Sequence, residues 1–101
     1  MKTDRELLEL AAKASGELTA SWYGNDAYFD GVLSRWNPLT DDGDALRLAV
    51  RLSLLVDVTA FSVTAMVNGV ISAKEKHDGD PYAATRRAIT RAAAAIGEVK
   101  K

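Results

Sequence analysis

Three carboxylates stand within four residues of this 101-residue chain, at Asp41-Asp42-Gly43-Asp44. A pair such as Asp41 and Asp44 could hold Mg²⁺, or could divide the roles of acid and base. A twelve-residue calcium loop does not fit: its spacing is absent, and position 52, where a closing Glu would stand, is Leu. The same carboxylates also suit the start of a helix. Thr40 or Asp41 can accept from the first free N–H groups, and Asp42 and Asp44 put negative charge at the positive end of the helix dipole. Carboxylates stabilised as anions in this way make poor general acids. The single histidine, His77, lies in the polar turn KHDGDP, and there is no cysteine. Zinc catalysis, thiolate metal sites and a disulfide framework are therefore not expected. No nucleophile elbow, phosphate loop or dinucleotide fingerprint occurs. The sequence predicts no enzyme, no metal site and no cofactor.

Two other groups could bind rather than react. Five of the seven aromatic residues fall between Trp22 and Trp36: Trp22, Tyr23, Tyr28, Phe29 and Trp36 itself. Such a cluster could stack a base or anchor a protein partner, and it could equally be the core of a small domain. Arg86, Arg87 and Arg91, with Lys74 and Lys76, could form a basic surface suited to phosphate or an acidic protein, or simply a solvated helix face.

These residues need elements to place them. Thr3-Asp4-Arg5-Glu6 is a capping box that opens a helix over about Asp4 to Ser15, with Leu7, Leu10, Ala11 and Ala14 on one face and Gly16 at its end. ELTASWY (17–23) and AYFDGVL (27–33), with Gly24-Asn25-Asp26 between them, predict a β-hairpin with a three-residue turn. Pro38 keeps Asn37 out of the helical region, and a helix follows over about 41–52, its buried stripe carried by Ala45, Leu46, Leu48, Ala49 and Leu52. LLVDVTA (54–60) reads as a strand leading into a hairpin turned at Asn68-Gly69. A two-residue turn there pairs Val67 with Val70, Met66 with Ile71, Ala65 with Ser72, Thr64 with Ala73 and Val63 with Lys74. Asp80-Pro81 opens the last helix, whose inner face carries Tyr82, Thr85, Ile89, Ala92 and Ile96. Gly97 ends it, and Glu98 to Lys101 form a frayed tail. The order α-β-β-α-β-β-β-α predicts a single α+β domain over 1–101, an antiparallel sheet covered by helices on one face.

Residues 52–71 carry only one charge, Asp57, over twenty positions, enough to span a bilayer. The cost of Asp57 and Asn68 in lipid, and the β-branched content, favour strands instead, so no membrane partner is expected. Asp4, Glu6 and Glu9 stand where a signal peptide needs apolar residues, which predicts a cytoplasmic protein. The net charge is −1, but residues 1–50 hold 5 basic against 9 acidic side chains and residues 51–101 hold 8 against 5. That asymmetry permits a basic patch on one face.

WNPLTDDGDALRLAVRL (36–52) and DPYAATRRAITRAAAAIG (80–97) resemble the ends of a family of short proteins encoded by bacteriophages and prophages, akin to the NinX-like proteins. In that family a Trp-Asn-Pro-Leu segment with aspartates opens one helix and an Asp-Pro-Tyr-Ala-Ala-Thr-Arg-Arg segment opens the last. Residues 53–76 are more apolar than that pattern. The resemblance implies a phage accessory protein in the host cytoplasm, and no reaction. A pocket shared by the Trp36 segment and the start of the last helix is then expected, with Trp36, Asn37, Asp41, Asp44, Tyr82, Arg86 and Arg87 as binding residues. A second face, Val63, Ala65, Met66, Val67, Val70 and Ile71, is expected to mediate self-association into a homodimer. A host protein, such as a defence or regulatory component, is the leading partner. An anionic nucleotide held at the helix N-termini is the alternative, and nucleic acid on the arginine helix is a third.

Overall fold

The computed structural model describes residues 2–16, 19–23, 26–29 and 35–99. In chain order these form α1 (Asp4–Ser15), β1 (Thr19–Tyr23), β2 (Asp26–Phe29), β3 (Arg35–Trp36), α2 (Asp42–Arg51), β4 (Leu55–Val58), β5 (Ser62–Val67), β6 (Val70–Lys76) and α3 (Pro81–Val99). The class is α+β, and the order matches the sequence reading with one strand, β3, added. The strands make two three-stranded antiparallel sheets, β1-β2-β3 and β4-β5-β6, rather than one. The two-residue β3 was not legible because it is too short to show alternation. Tyr23 pairs with Asp26, so the first hairpin is joined by two residues, not three. That turn, residues 30–34 of the second predicted run and the Lys100-Lys101 tail lie outside the described residues.

Local chemistry sets the helix starts. The Thr3 hydroxyl accepts from Glu6 N at 3.1 Å, and Glu6 Oε1 accepts from Thr3 N at 3.1 Å, completing the capping box. The backbone and side-chain bonds from Thr3 hold the Glu6 carboxyl below its ordinary value. Gly16 closes α1 in the left-handed region. The buried face is wider than predicted: Leu8 and Ala12 join Leu7, Ala11 and Ala14, and Leu10 is only half-buried. Asp80 Oδ1 caps α3 through Ala83 N at 3.0 Å.

The hairpin turns at Asn68-Gly69, both at positive φ as a type I′ turn demands. Residues 52–71 thus run from the C-cap of α2 through β4, β5 and the turn to the start of β6, and no helix among the described residues is long and apolar enough to cross a membrane. Val67 pairs with Val70 and Met66 with Ile71, as the turn predicts. Beyond that a bulge at Ala65/Met66 shifts the register by one, so that Ala65 opposes Ala73, Thr64 opposes Lys74 and Val63 opposes Glu75. The shift has a packing reason. It places Ala73 on the same face as Val63 and Ala65, and all three are buried beneath α3.

α3 is the centre of the molecule. One side, through Ala84, Ala88 and Ala92, lies on Val63, Ala65 and Ala73. Another, through Ile89 and Ala93, meets Leu8, Ala11 and Ala12 of α1, Ala45, Leu48 and Ala49 of α2, and Trp36. The resulting layers are a sheet, then α3, then α1 with α2. Gly97 does not end this helix. It is buried inside it, where a Cβ would stand 2.0 Å from the carbonyl oxygen of Leu10. Only glycine permits α1 and α3 to cross so closely. The predicted frayed tail is also corrected, since Glu98 and Val99 remain helical.

Candidate functional site

Segments 36–52 and 80–97 come together through an arginine. Arg86 Nε donates to the carbonyl oxygen of Leu39 at 2.9 Å, and its Nη1 donates to Asp42 at 2.7 Å. Beside this junction a groove of about 580 Å³ opens between α2, the first turns of α3, and β4. Ala45, Leu46, Ala49, Val56, Val58 and Tyr82 are prominent in its walls, with Thr85, Arg86 and Ile89 along the α3 side.

The walls follow from periodicity. Asp42, Ala45, Leu46 and Ala49 repeat at helical spacing on α2, and Tyr82, Thr85, Arg86 and Ile89 do so on α3. Val56 and Val58 point to one face of β4 because strand side chains alternate. Two residues predicted as core are thereby reassigned. Leu46 is 64% exposed and Tyr82 68% exposed, because each sits at the lip of the groove rather than beneath a neighbouring layer. The apolar stripe read from Tyr82 to Ile89 is real, but its first turn faces open space.

The structure separates the remaining predicted site residues. Trp36 is 8% exposed and packs in the core behind the groove, so it acts as an anchor and not as a contact surface. Asn37 is buried too: its N–H donates to Asp44 Oδ2 at 2.9 Å, while its Oδ1 accepts from Leu39 N at 3.0 Å. Asp44 is correspondingly buried, and its other oxygen accepts from Arg47 at 2.7 Å. Asp41 is the α2 N-cap, accepting from Asp44 N at 2.8 Å. The carboxylate cluster therefore builds a helix start and the turn before it. Among the described residues no group of three or more His, Cys, Asp or Glu side chains could hold a metal ion. His77 lies in the turn before α3, where its N–H donates to Phe61 O at 3.3 Å and its buried Nε2 has no partner among the described residues.

The arginines do not form a free cationic stripe. Arg87 pairs with Asp4 at 3.2 Å, and Arg91 pairs with Glu75 and donates to Lys74 O at 3.2 Å. Arg87 thus belongs to a second, polar hollow near Lys2, Glu75 and Glu98, away from Tyr82 and Arg86. The expected self-association face is also divided. Val63 and Ala65 are fully covered by α3 and cannot meet a second chain, whereas Val70 is exposed and Met66 and Val67 are half-buried. The side chain of Ile71 and those of Trp22, Tyr23, Tyr28 and Phe29 lie outside the described residues.

Sequence reasoning missed Leu46, Val58 and Phe61 as exposed surface. The signal for Leu46 was present: it stands four residues from both Asp42 and Val50, on a face that should have been polar. Comparison with protein-family models, with curated proteins and with solved structures finds no match to this chain.

Proposed function

We propose that this protein is a non-enzymatic binding module that seats an apolar segment of another protein in the groove between α2, α3 and β4. The observation that carries this reading is the groove itself, apolar in its walls and edged by Leu46, Val58 and Tyr82, large side chains held out of the core. Concave apolar surfaces edged by an aromatic are where binding energy concentrates. Asp42 at the rim and Arg86 neutralise each other. The partner segment that fits carries apolar anchors. The resemblance of 36–52 and 80–97 to phage-encoded proteins supports a host protein, such as a defence or regulatory component in the host cytoplasm, as the target.

The anionic alternatives fit less well. The first N–H groups of α2 and α3 already bond carboxylates, Asp41 and Asp80, which leaves a nucleotide phosphate facing negative charge. Nucleic acid would have to displace the acidic partners of Arg86, Arg87 and Arg91.

The test is capture from host lysate by tagged protein, comparing wild type with Leu46→Asp, Tyr82→Asp and, as a control, Val99→Asp, which is exposed at the far end of α3. A protein retained by wild type and the control but lost by both groove variants supports the reading. Recovery of nothing specific, or equal recovery by all four, refutes it.

A further inference from the structure

An aromatic ring sits on a stiff turn beside the groove. Phe61 is 84% exposed, the most exposed large apolar side chain among the described residues. Its turn is tightly held: Thr59 N donates to Ser62 O at 2.9 Å, Thr59 Oγ1 accepts from Phe61 N at 3.2 Å and from Ser62 N at 3.1 Å, and Phe61 O accepts from His77 N. An aromatic ring displayed on a pre-ordered backbone loses little freedom on burial, which is the property of an anchor. The turn directly follows Val58, a wall of the groove, and His77 leads within four residues to Pro81 and Tyr82, which line it as well. Knob and socket therefore lie at the same end of the molecule.

We infer that the occupant of this surface in the isolated protein is a second copy of the chain, with Phe61 of each copy entering the groove of the other. When both insertions share one two-fold axis, the assembly closes at two. The size suffices. Leu46, Val58, Phe61 and Tyr82 are each more than half exposed. At on the order of 100 Å² for each aliphatic and about 150 Å² for each aromatic side chain they offer roughly 500 Å² per copy, or about 1,000 Å² for the pair, the low end for a specific interface. A net charge of −1 opposes association only weakly. This dimer replaces the one expected through Val63 and Ala65. It shares the groove with the proposed function but does not depend on any partner protein.

Sedimentation equilibrium of the wild-type chain from about 1 µM to about 500 µM tests it, a range that covers weak specific association. Phe61→Asp should weaken the dimer at least ~30-fold, as loss of an interface anchor does. Leu55→Asp, exposed on the opposite face of β4, should leave it unchanged. The chain lacks cysteine, so mixing Phe61→Cys and Leu46→Cys copies under mild oxidation should give a disulfide between unlike copies. A monomer throughout, a dimer indifferent to Phe61→Asp, or one broken by Leu55→Asp would each overturn the inference. A monomeric wild type that still captures a protein through the groove leaves the binding-module reading intact. A dimer with nothing captured does the reverse.

Discussion

Replacing Gly97 with alanine tests the crossing of α1 and α3. In an open helix this change raises stability by about 1 kcal/mol, since alanine is the better helix former. Here the new Cβ would lie 2.0 Å from the Leu10 carbonyl oxygen and 2.8 Å from its carbon. An ordinary carbon–oxygen contact is roughly 3.3 Å, so α1 and α3 must part by about 1 Å. The obstacle is backbone, so no side-chain rotation relieves it. Forcing a methyl into a packed interface costs about 1–3 kcal/mol, and more where the surroundings cannot yield. With the propensity gain subtracted, the net loss is about 2 kcal/mol, which lowers Tm by roughly 10 °C in a domain of this size. Urea unfolding followed by circular dichroism reads it directly as a lower midpoint at unchanged slope. Gly97→Val should cost more, and Leu10→Ala should not rescue either variant, because it leaves the carbonyl in place. A midpoint equal to or above wild type for Gly97→Ala would mean that Gly97 ends or frays the helix, and the crossing described above would be wrong.

Four other outcomes follow from the same structure. Asp44→Ala should destabilise by about 1–3 kcal/mol, because it strands the buried Asn37 N–H, whereas Asp42→Ala, which removes an exposed pairing carboxylate, should cost less than about 1 kcal/mol; chemical denaturation of both separates them. Glu6 is held below its ordinary value of 4.5 in the folded chain, so its contribution is present above that pH and lost as the pH falls through the lowered folded value, and Glu6→Gln should flatten that part of the acid-unfolding curve. Ser53 follows α2 at φ 56, so Ser53→Gly should stabilise by about 0.5 kcal/mol, readable as a higher thermal midpoint. Thr85→Leu, which fills the groove from the α3 side, should change stability by less than about 1 kcal/mol while abolishing capture of the partner and weakening the dimer in sedimentation.

Features governed by neighbours in sequence were legible in it. The capping box at Thr3, the Asp80-Pro81 start and the Asn68-Gly69 turn each depend on a few adjacent residues, and all three stand where the sequence puts them. What depends on another layer was not. The bulge at Ala65/Met66 exists to keep Ala73 under α3, and nothing local announces it. The last helix reads as amphipathic with one inner face, yet it packs on two sides. Alanine at 84, 88 and 92–94 suits either surface or close contact, so composition alone could not decide. Gly97 shows the same limit, since a glycine late in a helix resembles a stop until a second helix is seen to cross it. At the site, Tyr82 and Arg86 were legible from the α3 opening. Trp36, Asn37 and Asp44 carried the same sequence signal and turned out to be the support behind the groove.

The charge asymmetry of the two halves has a physical resolution that bears on recognition. Acidic groups of the first half meet basic groups of the second: Asp4 with Arg87 and Asp42 with Arg86, while Lys2 pairs with Glu98 in the opposite sense. Arg91 is met by Glu75 from β6 and Arg47 by Asp44 one turn away. The pairs exposed on both sides, Lys2–Glu98 and Asp4–Arg87, add little stability. Their effect is to cancel the field that a phosphate or a nucleic acid would follow, so that an unequal distribution along the chain becomes a nearly balanced surface. The groove escapes that balance for a steric reason. Ala45, Ala49 and Thr85 face one another across it and are too small to close the space between α2 and α3. Leu46, Val58 and Tyr82 stand at its edge, where they remain available to another chain.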